Sequence, residues 1–254
     1  ISVVRLSGGS ASLVGTKLCG GLPESWTLKA CSFSGCGGEV IDSGLVVFFA
    51  SPRSYTGEDV VELHCHGNPL IVDAIVSSAV GFGARLAEPG EFTKRAFLNN
   101  KVDLAQAESV SDLISARTGA ALRGASSSLS GDFSKMINTS IDRLVDLRVL
   151  VEAGLDFPEE EGVEGGLEDN DRVLFGLKKE AAFIGGLLFD SRASQILREG
   201  ARVVIVGPPN CGKSTLLNFF AKEDMAITSE SPGTTRDMIR TTIDLGGVPV
   251  ELVD

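Results

Sequence analysis

Apolar and polar positions follow one period at the start of the chain and another in its middle. From Ile1 to about residue 98, short apolar runs are separated by glycine and proline turns. Ile1–Leu6 reads as a strand ending at Ser7-Gly8-Gly9, Ala11–Cys19 as a helix, and Val40–Phe49 as a further strand. Val60–His66 alternates strictly, predicting a half-buried strand with Val61, Leu63 and Cys65 on one face and Glu62, His64 and His66 on the other. Pro69–Val80 reads as a helix, and Gly81, Gly83, Pro89 and Gly90 then break the chain before Phe92. The texture is α/β.

From about Val102 the period becomes 3.6. Leu104, Ala107, Val110, Leu113 and Ile114 form one stripe, running up to Thr118-Gly119. Leu129, Phe133, Met136, Ile137, Ile141, Leu144, Val145, Leu147 and Val151 form a longer one that ends at Phe157-Pro158. Both stripes are expected to be core and dimer-packing surface. The acidic run Glu159–Asp171 is expected to be a solvated loop. Arg172–Leu197 returns to helix despite Gly176, Gly185 and Gly186, with Gly200 as its cap. Beyond it lie a strand over Arg202–Val206, a glycine loop, a helix, and strands Arg240–Asp244 and Val248–Val253 joined by a Gly246-Gly247 hairpin. The expected domains are therefore 1–100 (α/β), 101–199 (all-α) and 200–254, the start of a Ras-like P-loop α/β domain. That last domain reads as truncated, because nucleotide-binding domains need more strands.

The glycine loop carries the first chemistry. Gly207-Pro208-Pro209-Asn210-Cys211-Gly212-Lys213-Ser214-Thr215 fits G-x-x-x-x-G-K-S/T, with a strand before it and a helix after. Such a loop curls backbone N–H groups around a phosphate, and the helix N-terminus adds partial positive charge. Lys213 would reach the β- and γ-phosphates, and Ser214 would ligate Mg²⁺. A second loop, Ser229-Glu230-Ser231-Pro232-Gly233-Thr234-Thr235, stands where GTPases place the switch threonine that senses the γ-phosphate. Asp254 ends a hydrophobic strand, where a P-loop domain places its Mg²⁺-directed aspartate.

Composition adds constraints. No apolar run reaches the roughly 18 residues of a membrane span, and no signal-peptide pattern appears, so no membrane role is expected. Five cysteines, odd in number and without a C-x-x-C pair, read as free thiols in a reducing compartment. A net charge of −11 argues against gripping nucleic acid by bulk electrostatics, so a local patch or a partner must supply positive surface. His64 and His66 lack an obvious third metal ligand, and local hydrogen bonding is their expected role. Cys211 reads as a small residue at a variable position.

Three longer motifs lie at Tyr55–Gly67, Glu88–Glu108 and Leu150–Pro158. Together with G-x-P-N-x-G-K-S-T and G-T-T-R-D they closely resemble the MnmE (also called TrmE) family of tRNA-modifying GTPases, in order and over essentially the whole chain. The resemblance implies an N-terminal domain that dimerises and binds 5-formyl- or 5,10-methylene-tetrahydrofolate through Arg5, Glu62 and Lys101. Chemistry is compatible: a pterin pairs with a carboxylate such as Glu62, and a glutamate tail with Arg5 or Lys101. It implies GTP as nucleotide, and K⁺ held by Asn210, Ser229, Ser231 and Thr234 in the place of an arginine finger. Mg²⁺ would be held by Ser214 and Thr235. Ser229 and Ser231 stand where the family often has threonine and an aliphatic residue. The family's water-orienting glutamate falls beyond Asp254, so no catalytic residue is assigned.

The resemblance further implies a homodimer that forms a heterotetramer with the FAD-containing MnmG protein. That assembly would install a (carboxymethyl)aminomethyl group at C5 of the wobble uridine of tRNA. The setting would be the bacterial cytoplasm, or mitochondria in a eukaryote. An alternative reading is an Era- or Der-like regulatory GTPase switch in ribosome assembly, with the N-terminal unit as a binding module. Folate binding separates the two.

Overall fold

Alternation along Val60–Cys65 (β4) is what organises the first part of the chain. Val60, Val61, Leu63 and Cys65 are buried, while Glu62 and His64 keep partial exposure. The computed structural model describes residues 1–156, 167–208, 211–222 and 240–253. Contacts divide the chain into two units, 1–107 and 108–254.

In the first unit, β1 (Ser2–Ser7), β2 (Leu28–Ser34), β3 (Val40–Phe49) and β4 form one antiparallel sheet in the order β1-β4-β3-β2. Helices α1 (Ala11–Cys19) and α2 (Pro69–Gly81) cover one face. Phe33, Val46, Leu63 and Ile75 make that core, each fully buried. Asn68 caps α2 by accepting from the Leu70 amide, and Pro69 starts the helix with its φ already set. Gly44 sits where β3 passes tightest over β4: a Cβ there would stand 2.1 Å from the His64 carbonyl oxygen. A short helix, α3 (Glu91–Leu98), then leads to α4 (Leu104–Ser115). Asp103 and Gln106 open α4 by exchanging side-chain and backbone hydrogen bonds at 2.9 and 3.0 Å, a reciprocal capping box.

The second unit contains α5 (Gly119–Leu129), α6 (Asp132–Asp156) and α7 (Leu167–Glu199). The expected single helical pattern from Leu129 to Val151 is broken at Ser130-Gly131, with Gly131 at positive φ. Residues 167–171, expected in the acidic loop, are the first turns of α7, whereas 157–166 lie outside the described residues. Gly176 does not weaken α7. A Cβ there would meet Leu147 Cδ2 of α6 at 2.6 Å, so its lack of a side chain permits the close helix approach. Ser140 and Arg143 of α6 both donate to Glu180 of α7, whose residue exposure is 3%. The apolar stripe of α6 is less buried than its pattern implies: Ile141, Val145 and Val149 are exposed, and Ser140 is the buried residue of that helix.

The remaining elements are β5 (Ala201–Val204), α8 (Lys213–Lys222), β6 (Arg240–Leu245) and β7 (Val248–Val253). β5 runs parallel to β7, and β7 pairs antiparallel with β6 across the Gly246-Gly247 turn. The strand expected to reach Val206 stops at Val204. Ile243, Val250 and Leu252 form a small core on which Phe220 of α8 packs.

Candidate functional site

Register places the first pair of predicted ligand residues. β1 lies antiparallel to β4 with Arg5 directly opposite Glu62, both on the sheet face away from α1 and α2. Arg5 Nε donates to Glu62 Oε1 at 2.6 Å, a charge-assisted bond between residues 57 apart in sequence. The Arg5 guanidinium lies 6.0 Å from the centre of the Tyr55 ring and 5.7 Å from that of Phe92. On the same strand face, His64 Nε2 comes within 3.5 Å of Glu62 Oε2.

Arg5 also lines a cavity of about 360 Å³ with an apolar wall that includes Leu6, Val14 and Ala79. Glu62 lines neither this cavity nor the neighbouring hollow of about 660 Å³, which holds Lys101. Lys101 Nζ donates to the Pro52 carbonyl at 3.1 Å. Gly9 borders both spaces. Arg5 and Glu62 are thus brought together, with Lys101 in the adjoining hollow rather than in the pair.

A network anchors this region. Glu91 at the start of α3 accepts from Arg85, from Arg95 and from the Glu88 amide. Those donors, Arg85 foremost, hold the Glu91 carboxyl well below the usual carboxylate range. Arg95 reaches on to Glu58, and Glu58 accepts from Ser7 at the end of β1. α3, the Tyr55–Glu58 loop and β1 are tied together by these side chains. Sequence reasoning missed these residues, although E-P-G-E-F-T-K-R carries every charged member from Glu88 to Arg95. Asp42 accepts from the backbone and ring of His66, bonds that hold its carboxyl below the usual carboxylate range and give His66 the local role expected of it. Among the described residues no group of three or more His, Cys, Asp or Glu side chains is placed to hold a metal.

In the second unit, the glycine loop does connect β5 to α8. Gly212 has φ +97, the left-handed conformation that glycine adopts without cost, and α8 starts at Lys213. Lys213 Nζ donates to the Gly207 and Pro208 carbonyls at 3.1 and 3.0 Å, so its ammonium stays folded over the loop. Cys211 and Thr215 are exposed. Asn210, Ser229, Glu230, Ser231, Pro232, Gly233, Thr234, Thr235 and Asp254, and the side chain of Ser214, lie outside the described residues. A strand, a glycine-hinged loop with its lysine, and a helix N-terminus are the parts that hold a polyphosphate.

Two family models match this chain: "GTP-binding protein TrmE N-terminus" over residues 1–101 and "MnmE helical domain" over residues 104–250. The chain belongs to the MnmE/TrmE family. Proteins named tRNA modification GTPase MnmE are similar to it over all 254 residues: 48% identical in Neisseria meningitidis serogroup B and in Azoarcus, and 47% in Nitrosomonas eutropha. The chain spans 56% of the length of each of these relatives. The MnmE N-terminal match covers the Arg5–Glu62 pair, and the helical match extends past the phosphate loop. No helix among the described residues is long and apolar enough to cross a membrane.

Proposed function

We propose that this chain is part of a GTP-hydrolysing component of the system that modifies the wobble uridine of tRNA. The observation that carries the reading is identity of 48% from end to end with relatives named tRNA modification GTPase. The first unit would bind a 5-formyl- or 5,10-methylene-tetrahydrofolate and form the homodimer. Its outer sheet face suits that ligand: a carboxylate for the pterin N–H edge, Arg5 flanked by two rings, and Lys101 nearby for a glutamate tail. The phosphate loop would bind GTP, with Lys213 exchanging two loop carbonyls for phosphate oxygens.

Mg²⁺ would be held by Ser214 and Thr235, and K⁺ by Asn210, Ser229, Ser231 and Thr234. Held there, K⁺ would supply positive charge to the polyphosphate. A flavoprotein partner of the MnmG kind would complete the tRNA-binding assembly and provide positive surface that a chain of net charge −11 lacks. The setting is the bacterial cytoplasm. The alternative of a ribosome-assembly switch gains no support from an N-terminal unit that matches the TrmE N-terminus over residues 1–101. Reconstitution of the full-length protein with its flavoprotein partner, GTP, K⁺ and folate labelled in its one-carbon unit should transfer label to tRNA. Unlabelled tRNA, with GTP hydrolysis intact, would overturn the reading.

A further inference from the structure

His64 stands out on the sheet face that carries Arg5 and Glu62. Its Nε2 is a buried side-chain polar atom without a hydrogen-bond partner among the described residues, although the ring as a whole is partly exposed. Glu62 Oε2 lies 3.5 Å away, longer than an ordinary N–H···O bond. The other carboxylate oxygen, Oε1, is already taken by Arg5 Nε. A buried ring nitrogen in that position calls for a partner: the carboxylate when protonated, or a water or ligand when neutral.

The surroundings leave few competitors. Directly across from His64 stand Val3 on β1 and Leu45 on β3. The charged groups facing it are Arg5 on β1 and Glu62 on its own strand; Tyr55 and Phe92 gather around Arg5. His66, further along β4, and Asp42 of β3 are engaged with each other.

We propose that His64 is a positioning residue for Glu62, and that its proton competes with tetrahydrofolate for Glu62 Oε2; this rests on the folate reading above. Protonated His64 donates from Nε2 to Oε2, and both carboxylate oxygens are then engaged. Neutral His64 releases Oε2, and the carboxylate accepts the paired N–H donors of a pterin. Imidazole is the side chain whose charge changes nearest neutral pH, which makes a pH series the natural probe of this competition. Binding of folate releases one proton, and affinity rises with pH until His64 is neutral.

Calorimetric titration of the 254-residue chain with 5-formyl-tetrahydrofolate, from about pH 5.5 to pH 8, tests this. The dissociation constant is expected to fall by up to about tenfold per pH unit on the acid side and then level off. His64→Gln, which cannot titrate, should flatten the profile, and His66→Gln should keep the slope. A wild-type profile already flat, or a slope unchanged in His64→Gln, overturns the proposal. Absence of folate binding at every pH instead overturns the folate reading, and the ligand-free chain then decides. An Nε2–H resonance of His64 visible by NMR at about pH 5.5 and lost in Glu62→Ala supports the competition. No such resonance in the wild type refutes it.

Discussion

Glu62→Gln separates recognition from folding. The substitution keeps shape and removes charge. In the free protein Glu62 accepts one bond, from Arg5 at 2.6 Å, and the amide oxygen of glutamine accepts the same bond. Side-chain exposure of Arg5 is 41%, so solvent screens the pair, and its loss as an ion pair costs about 0–1 kcal/mol. The melting temperature should stay within a few degrees of wild type. Ligand binding is different. A pterin edge presents two N–H donors to both carboxylate oxygens, and glutamine answers with one acceptor and one opposing NH₂. A charge-assisted bond is worth about 1.5–3 kcal/mol, which corresponds to roughly 10- to 150-fold weaker binding. Calorimetry with 5-formyl-tetrahydrofolate at about pH 7.5 gives the number directly. A cycle with Arg5→Gln and the double variant then isolates the coupling. Affinity within twofold of wild type, in a protein with an unchanged melting curve, would refute the assignment of Glu62 to the ligand.

Glu91 governs acid stability. Its carboxyl is depressed in the folded state, so its stabilising contribution is full above the ordinary glutamate range of about pH 4.3 and is lost as pH falls through the lower folded value. Melting temperature should therefore drop on acidification below about pH 4.5, and Glu91→Gln should shrink that drop while lowering stability at neutral pH. Two glycine substitutions should move stability in opposite directions, as measured by denaturant titration. Gly44→Ala meets the His64 carbonyl and the Phe33 ring and should cost about 1–3 kcal/mol or more; Gly124→Ala in α5 meets nothing within 4 Å and should gain up to about 1 kcal/mol. Lys213→Ala in the full-length protein should abolish GTP binding, read by a fluorescent nucleotide. Asn210→Ala should keep binding and lose the stimulation of hydrolysis by KCl over NaCl.

Much of this fold was legible because two periods dominate the chain. The alternation of Val60–His66 correctly separated Val61, Leu63 and Cys65 from Glu62, His64 and His66. β2 was not legible: Leu28–Ser34 is an edge strand with most of its residues exposed, so it lacks the clear in-out alternation of β4. α3 was missed because Glu91–Leu98 buries only Glu91 and Ala96, with Glu91 and Arg95 engaged in side-chain bonds that no apolar stripe announces. Gly176 misled in the other direction, since helix propensity counts the missing side chain and not the neighbour that fills its place. At the candidate site, the pairing of Arg5 with Glu62 depends on strand register between segments 57 residues apart, which no local pattern encodes. The orphaned Nε2 of His64 depends on burial at atomic scale.

β1 is an edge strand, and its register with β4 has an outcome for binding that goes beyond geometry. A slip by one residue would turn Arg5 toward α1 and α2 and expel Val4 and Leu6 from the core, so the Arg5–Glu62 pair exists only when the whole strand is docked. Edge strands fray, and a site that includes one has an apparent affinity reduced by the fraction of molecules with the strand in place. Folate would in turn act as a clasp on the sheet: at about a hundred times its dissociation constant, a ligand of this kind adds roughly 2.7 kcal/mol against unfolding. One-carbon supply would then be felt as the durability of the N-terminal unit as well as the occupancy of its site.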